Sequence, residues 1–406
     1  MPGQVSRIPV VVAPVHVNGV TISREMARKG TRVVGIGPSA DAAGLQTRFL
    51  AERVVLPPPE EEPGEFASFL LARKDLYGGI VIPTDDFHLR EIADSYGDLS
   101  GRYKLAVAPP DATRIALDKA LTYTACAQAG VACPKTRALD DGRSTSLEAP
   151  SLSRGSDLDE AAEFVGFPAI LRPAFSIAFY RDFGTKSFQV GSAGQLGEML
   201  GKARSAGHKM LLQEIIPGGD ENVVSCKVYA TDSGDILGAL AGFKLAIYPP
   251  GFGVSQMQET RPAGEVEEGT RRILRQIGFR GSLASVEWKL DPRDGVWKML
   301  EINARSVMAI ALMKYSGSDV IDMLWRDKLG LPQLPPTRPK YQRRWAYIKN
   351  GFLLYKKYPG ERKGLREYMR LYRPPMCFAL LDLTDMKPFL YDIAPLFVRR
   401  LGGQVK

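Results

Sequence analysis

The sequence predicts an α/β protein in three parts. A doubly wound parallel-sheet domain over residues 1–115 is followed by a larger α+β domain over 116–330 and a basic, aromatic-rich helical tail over 331–406. Three observations carry this. Short apolar runs alternate with helix-like stretches through residues 8–110, the signature of parallel layering. Later runs, Asn222–Tyr229 and Ile236–Ala246 and a pair ending near residues 290 and 303, read as antiparallel strands. The excess positive charge is confined to the end: Thr337–Lys406 holds 16 Lys/Arg against 5 Asp/Glu, while Met1–Pro336 holds 38 against 40.

In the first domain the strands are Ile8–Val12, Arg32–Ile36 and Gly79–Ile82, with helices over Gly19–Lys29 and Gly64–Lys74. Pro83-Thr84-Asp85-Asp86 follows the last strand, at the carboxyl end of the sheet where open α/β folds bind ligands. Thr84 also reads as a helix N-cap with Asp86 in the first turn. One helix is expected from Asp111 to Gly130, stopped by Gly130 and Pro134. Ser144–Ser156 is rich in Ser, Gly and Pro and reads as a mobile insertion. Beyond it come the helix Asp157–Val165, the strand Pro168–Arg172, a polar loop through Gly184, the strand Lys186–Val190, the helix Gln195–Ala206 and the strand Met210–Ile216. Leu331–Pro339 is a proline-rich linker, and no internal repeat is visible.

A chain of 406 residues, 45% apolar, can build two or three cores. Cys126, Cys133, Cys226 and Cys377 lack C-x-x-C spacing, and His16, His88 and His208 lie far apart. Neither a zinc site nor a disulfide framework is expected, and a reducing cytosol is the simpler location. The proline-broken run in Met1–Val20 reads as a first buried strand rather than a signal peptide. No run reaches the ~18 apolar residues of a membrane span.

The chemistry concentrates at Glu287-Trp288-Lys289-Leu290-Asp291 and, fourteen residues on, Glu301-Ile302-Asn303-Ala304-Arg305. Each segment ends an alternating strand, and a period of two sends Glu301, Asn303 and Arg305 to one side. Oxygen donors beside a cationic fork suit a hard cation held together with phosphates. The plainer alternative is a half-exposed strand whose polar face is merely solvated.

Four more segments precede this pair in order. They are Leu117-Asp118-Lys119-Ala120-Leu121, leading to Gly130-Val131-Ala132-Cys133-Pro134-Lys135-Thr136; Phe167-Pro168-Ala169-Ile170-Leu171-Arg172-Pro173; the run Leu211–Glu221; and Gly242-Phe243-Lys244-Leu245 with Tyr248–Gly253 after it. The ordered set resembles the ATP-grasp superfamily over about residues 5–330, especially its carboxylate–amine ligases of the D-aspartate ligase and D-alanine–D-alanine ligase type. The resemblance implies a two-lobed ATP-grasp domain over 116–330 that takes ATP and Mg2+, with Mn2+ as the alternative cation. It implies nucleotide contacts from Lys119, Gln213 and Glu214, and a ribose contact from Glu221, seven residues past Glu214. Arg172 stands where the family usually has lysine, which keeps the charge but changes a compact ammonium into a planar fork. Lys186 is the alternative ammonium. Between them Ser176–Gly184 would shield the phosphates, although its single glycine makes it bulkier than the family's loops. Glu287, Glu301 and Asn303 match the metal ligands, with Lys244 and Arg305 as the catalytic cations.

The implied reaction is ADP-forming ligation of a small-molecule carboxylate to an amine through an acyl phosphate. Carboxylation, ligation to a thiol, and ATP binding without catalysis are the alternatives. The sequence identifies no general base beyond the weak candidates Asp85 and Asp86, and Ser23, Arg24, Thr84 and Asp85 are the candidate substrate contacts. In the tail, basic residues interleave with Trp345, Tyr347, Phe352, Tyr355, Tyr358, Tyr368 and Tyr372. That mixture fits a helical appendage packed on the ATP-binding domain, or peripheral contact with an anionic inner-membrane surface or a lipid-linked acceptor. Nucleic acid is the less expected partner, and a homodimer is compatible with the sequence.

Overall fold

The computed structural model describes residues 8–139, 158–251, 253–361 and 365–398; the Ser144–Ser156 segment lies outside them. Strands that are apolar throughout belong where a sheet is covered on both faces. Val10–Ala13 (β1) and Val33–Gly37 (β2) are buried along their whole length, Glu52–Val55 (β3) is a partly exposed edge, Ile80–Pro83 (β4) is again wholly buried, and Lys104–Leu105 (β5) ends the sheet. All pair in parallel in the order β3-β2-β1-β4-β5, with helices Val17–Arg28 and Glu65–Ala72 among the connections.

The single helix expected over Asp111–Gly130 is two, Pro110–Leu117 and Lys119–Gln128. Asp118 divides them: its backbone is extended, and its carboxylate accepts from the Ala120 and Leu121 amides. An aspartate that can cap a helix competes with continuing one. Similarly Asp85, not Thr84, caps the helix Asp86–Asp94, accepting from the His88 amide at 2.9 Å.

A small lobe follows, with Thr136–Ala138 (β6), Ala169–Pro173 (β7), Phe188–Val190 (β8) and Met210–Glu214 (β9) antiparallel in the order β6-β9-β7-β8. It has its own core around Leu171, Phe179, Leu196 and Leu212. The expected polar loop over 176–184 is a helix, Ser176–Phe183, closed by Gly184 at φ 65°. Phe179 and Phe183, one helical turn apart, pack on each other at a tilt and edge-to-face against Phe188, which ties the segment to the lobe.

The third sheet comprises Val223–Ala230 (β10), Ile236–Tyr248 (β11), Val254–Thr260 (β12), Ser282–Leu290 (β13), Trp297–Asn303 (β14), Arg344–Ala346 (β15) and Met376–Phe378 (β16). Its order is β14-β13-β10-β11-β12-β15-β16. The tail is therefore not purely helical: β15 pairs antiparallel with β12, β16 pairs parallel with β15, and Trp345 is fully buried. One core joins the first sheet to Val224, Val286 and Trp288, and a second joins its other face to Tyr229, Leu283, Trp345 and Leu380. First sheet, central sheet and tail thus share cores, while the small lobe stands over the central sheet with a core of its own. No described helix is long and apolar enough to cross a membrane.

Candidate functional site

Antiparallel register brings the two acidic segments together. Glu287 on β13 is the direct cross-strand partner of Glu301 on β14, and Ser285 partners Asn303. Opposed positions share a sheet face, and Glu287, Glu301 and Asn303 all line a cavity of about 670 Å³, within the size range of small-molecule sites. Among the described residues no three His, Cys, Asp or Glu side chains group as a metal cluster. Two carboxylates and an amide nevertheless fit magnesium, which characteristically takes one or two carboxylates and completes its shell with phosphate oxygens and water.

Cations surround the carboxylates. Lys244 donates to Glu287 at 2.8 Å, and the Arg172 guanidinium lies 3.6 Å from Glu301. Burial works to raise the Glu301 carboxyl, but Lys119, Arg172, Lys186 and Lys244 hold it down to about 2. It is therefore ionised at neutral pH and able to accept a metal. Burial pushes Lys119 down to about 8, aided by Arg172 and opposed by Glu301 and Asp86. Lys119 sits behind the wall, whereas Arg172, Lys186, Lys244 and Arg305 line it. Arg305 makes a two-pronged pair with Asp86 at 2.7 and 2.9 Å, so Asp86 fixes the guanidinium and is itself engaged.

Gln213 and Glu214 end β9 and line the cavity beside Ile215 and Ile216. Gln213 accepts from Arg172 and donates to Thr136, both at 2.9 Å. Glu214 accepts from the Lys135 amide and from Arg293, each at 2.8 Å. Its carboxylate thus ties the end of β9 to the segment before β6 and to Arg293. Glu221 lies apart, exposed on the turn Asp220–Asn222 and outside the cavity wall. Near it Lys289, a wall residue, has its ammonium lowered by burial against the pull of Asp220, Glu221 and Asp291.

The first domain closes the opposite side. Thr84 and Asp85 line the cavity, but Ser23 and Arg24 do not. Arg24 is spent on the tail, pairing with Asp385 at 2.9 Å and donating to the Leu380 and Asp385 carbonyls. His16, just before the helix Val17–Arg28, also lines the cavity, with Nε2 3.9 Å from Asp85. Asp85 is positioned in turn by His88 Nδ1 at 2.8 Å. The His16 side chain keeps 55% of its surface accessible, opening on the cavity, while the protein packed around it pushes the imidazole below its ordinary value; Asp85 opposes this, and His88 and Arg305 reinforce it. From the tail come Tyr347, Leu380 and Asp392.

Sequence reasoning missed His16, Tyr347, Asp392 and a polar floor of Ser225, Gln258 and Ser285. Behind the floor, fully buried Lys227 donates to Ser225 Oγ at 2.9 Å and Gln258 Oε1 at 2.7 Å, its ammonium pushed down to about 8 by burial. A lysine between Val224, Cys226 and Val228 was the available signal for that network.

No family model matches the chain. It is 25% identical over 170 residues to a D-aspartate ligase of Enterococcus faecium, covering 40% of either chain. It is 27% identical over 230 residues to the carbamoyl phosphate synthase large chain of Myxococcus xanthus, covering 54% of this chain and 19% of that one. The chain thus spans well under half the length of these curated relatives. Among solved structures, an ATP-analogue complex of biotin carboxylase from Campylobacter jejuni superposes with a TM-score of 0.63 at 16% identity, covering 83% of this chain and 74% of that one.

Proposed function

We propose that this chain, a member of the ATP-grasp superfamily, is an ADP-forming, magnesium-dependent ligase that joins a carboxylate to an amine through an acyl phosphate. The observation that carries the reading is the Glu287–Glu301 pair, cross-strand neighbours on one cavity wall, with Lys244, Arg172 and Arg305 around it. A carboxylate resists nucleophiles because its charge repels them and its oxygen is a poor leaving group; transfer of the γ-phosphoryl group of ATP removes both obstacles. Arg172 and Lys186 on the wall, with Lys119 behind it, offset the charge of the triphosphate. Lys244 faces the transferring group, and Arg305 is already fixed by Asp86, so little reorganisation is needed as charge moves. Magnesium, held by Glu287, Glu301 and Asn303, would supply Lewis-acid neutralisation of the phosphates. The amine then attacks the acyl carbon, phosphate departs, and the proton leaves nitrogen for His16, which is neutral at pH 7 and sits beside Asp85.

Hydroxylamine, unprotonated at neutral pH, should give hydroxamate and ADP from pooled carboxylates with MgATP. His16→Gln is expected to spare that product while slowing turnover of ordinary amines by about 10²–10⁴-fold. Because the His16 pKa is lowered, the imidazole is a base at neutral pH and is lost as one only on acidification. Amine-dependent rates in the wild type should therefore fall as pH drops below the usual histidine value of 6.5. MgATP binding with neither hydroxamate nor ADP formed would favour a binding-only protein.

The tail supports a further reading, contact with an anionic bilayer. Phe352, Leu390, Tyr391 and Phe397 are exposed there, with the Phe352 and Phe397 rings 6.3 Å apart, on a segment carrying the chain's excess positive charge. Phosphatidylglycerol vesicles should co-sediment the protein and phosphatidylcholine vesicles should not. Undiminished recovery of a Leu390→Ser/Phe397→Ser variant would sink this.

A further inference from the structure

Beneath the polar floor lies a charged group that the ligase chemistry does not use. Lys227 on β10 is completely buried, and its ammonium donates only to neutral acceptors: Ser225 Oγ at 2.9 Å, the Ser225 carbonyl at 3.3 Å and Gln258 Oε1 at 2.7 Å. Gly242 makes room for this reach, since a side chain there would come within 2.6 Å of Gln258 Oε1 and 3.0 Å of Lys227 Nζ. An ammonium has donors and no acceptor, which fixes the orientation of the amide. Gln258 turns its oxygen to Lys227 and donates from its other end, where Nε2 meets Ser255 Oγ at 2.7 Å. Ser255 Oγ is thereby engaged as an acceptor, and its own proton has no acceptor among the described residues. Ser255 lines the cavity. Lys227, Gln258 and Ser255 thus point one way, from a buried charge to a hydroxyl proton at the wall, and each bond in such a chain polarises the next.

The position of that proton decides what it meets. Lys244 on β11 reaches across β10 to Glu287 on β13, so the metal ligands lie on one side of Lys244. Gln258 on β12 is the cross-strand partner of Lys244, and Ser255, the partner of Ile247, lies on the same outer strand. The hydroxyl is therefore on the side of Lys244 away from the metal ligands. In a phosphoryl transfer the attacking and leaving oxygens are roughly in line, so the acceptor sits beyond the transferring group, on the side opposite the rest of the nucleotide. A donor backed by an ammonium favours an anionic oxygen over a neutral or cationic group.

We propose that Ser255 is a binding residue for the carboxylate that accepts the phosphoryl group, and that Lys227 is a positioning residue that acts through Gln258 without touching the ligand. The inference rests on the ligase reading for the identity of the anion. Ser255 holds one carboxylate oxygen and leaves the other to attack the γ-phosphorus, with ADP departing on the bridging oxygen. Lys227 sets the direction of the chain: with an ammonium at its root the amide cannot turn round, and the Ser255 proton stays pointed at the cavity.

Trifluoroacetate, a carboxylate followed by its fluorine resonance, tests this with magnesium and a non-hydrolysable ATP analogue filling the nucleotide site. The wild type should bind it, and Ser255→Ala should bind it at least about tenfold more weakly, the loss of one hydrogen bond to a charged group, at unchanged affinity for the analogue. Gln258→Glu separates direction from packing. It keeps the shape and gives Lys227 an ionic partner, but an ionised carboxylate only accepts, so the Ser255 proton turns inward to meet it. Trifluoroacetate binding should then fall as far as in Ser255→Ala, with no loss of melting temperature, whereas a purely structural network would leave it at the wild-type level. A folded Gln258→Glu protein that binds trifluoroacetate like the wild type overturns the proposal, as does a wild type that binds none. Should Gln258→Glu fail to fold, undiminished binding by Ser255→Ala overturns it alone. If the variants weaken the ATP analogue instead, the anion at Ser255 belongs to the nucleotide and the proposal also falls. Titration needs no turnover, so the two readings fail separately: loss of hydroxamate formation with variant-sensitive trifluoroacetate binding intact removes the ligase assignment and leaves the carboxylate site.

Discussion

Replacing Glu301 with alanine is expected to lower ADP formation by about 10²–10³-fold and to weaken Mn2+ binding, while metal-free ATP binds at least as tightly as before. Glu301 neutralises the cations gathered around it, Lys119, Arg172, Lys186 and Lys244. Removing it leaves these groups uncompensated, a better receptor for a triphosphate and a worse device for transferring one. A side chain that merely solvated a strand face would change neither quantity, and one that only bound nucleotide would lose affinity. The opposed signs are what identify a metal ligand. They are read by titrating ATP with and without metal, following Mn2+ by its paramagnetic resonance, and assaying ADP release. Normal turnover in Glu301→Ala would remove the strand pair from the mechanism.

That strand pair could be read from sequence because a β-strand has a rigid period of two, so Glu301 and Asn303 share a face before any tertiary contact forms, whereas Arg305 lies past the end of the strand Trp297–Asn303 and is held by Asp86 instead. The strands of the first sheet were legible for a related reason, since Val10–Ala13 and Ile80–Pro83 are apolar throughout and a parallel sheet covers both faces. Local competition was harder to see. Asp118 fits a helix interior poorly but caps one well, and the pattern on either side does not reveal which role it takes. Phe179 and Phe183 lay in a stretch whose polar residues suggested a loop, yet one helical turn between two rings suffices for a buried stripe. What sequence could not supply was long-range pairing. Arg24 appeared suited to substrate, but its partner Asp385 lies 361 positions away. The strands Arg344–Ala346 and Met376–Phe378 have three residues each, too short for alternation to show, so the tail's entry into the sheet and the cavity wall came only with the fold.

The junction made by Arg24 should also dominate the energetics of the tail. Asp385→Ala is expected to destabilise the protein by about 3–5 kcal/mol, a large part of the ~5–15 kcal/mol typical of a whole domain. The Arg24 and Asp385 side chains are only 6% and 2% exposed, and they meet at 2.9 Å. Asp385 also accepts from Thr47 Oγ1 at 2.5 Å and the Arg48 amide at 3.1 Å. Removing the carboxylate leaves a buried guanidinium with carbonyl partners and, as counter-charge, only Asp382 at 4.0 Å, a carboxylate already engaged by Arg28, and it strands two further donors. The cost should appear as a lower denaturant midpoint at an unchanged slope. A double replacement, Arg24→Met with Asp385→Leu, should recover much of the loss, because the penalty comes from the unpaired charge rather than from the missing attraction. If Asp385→Ala costs no more than a surface substitution, the tail is held by Trp345 and its apolar neighbours alone. If the predicted loss is found, a polar junction to the first domain holds the segment that carries Leu380 and Asp392, and the far wall of the cavity depends on it.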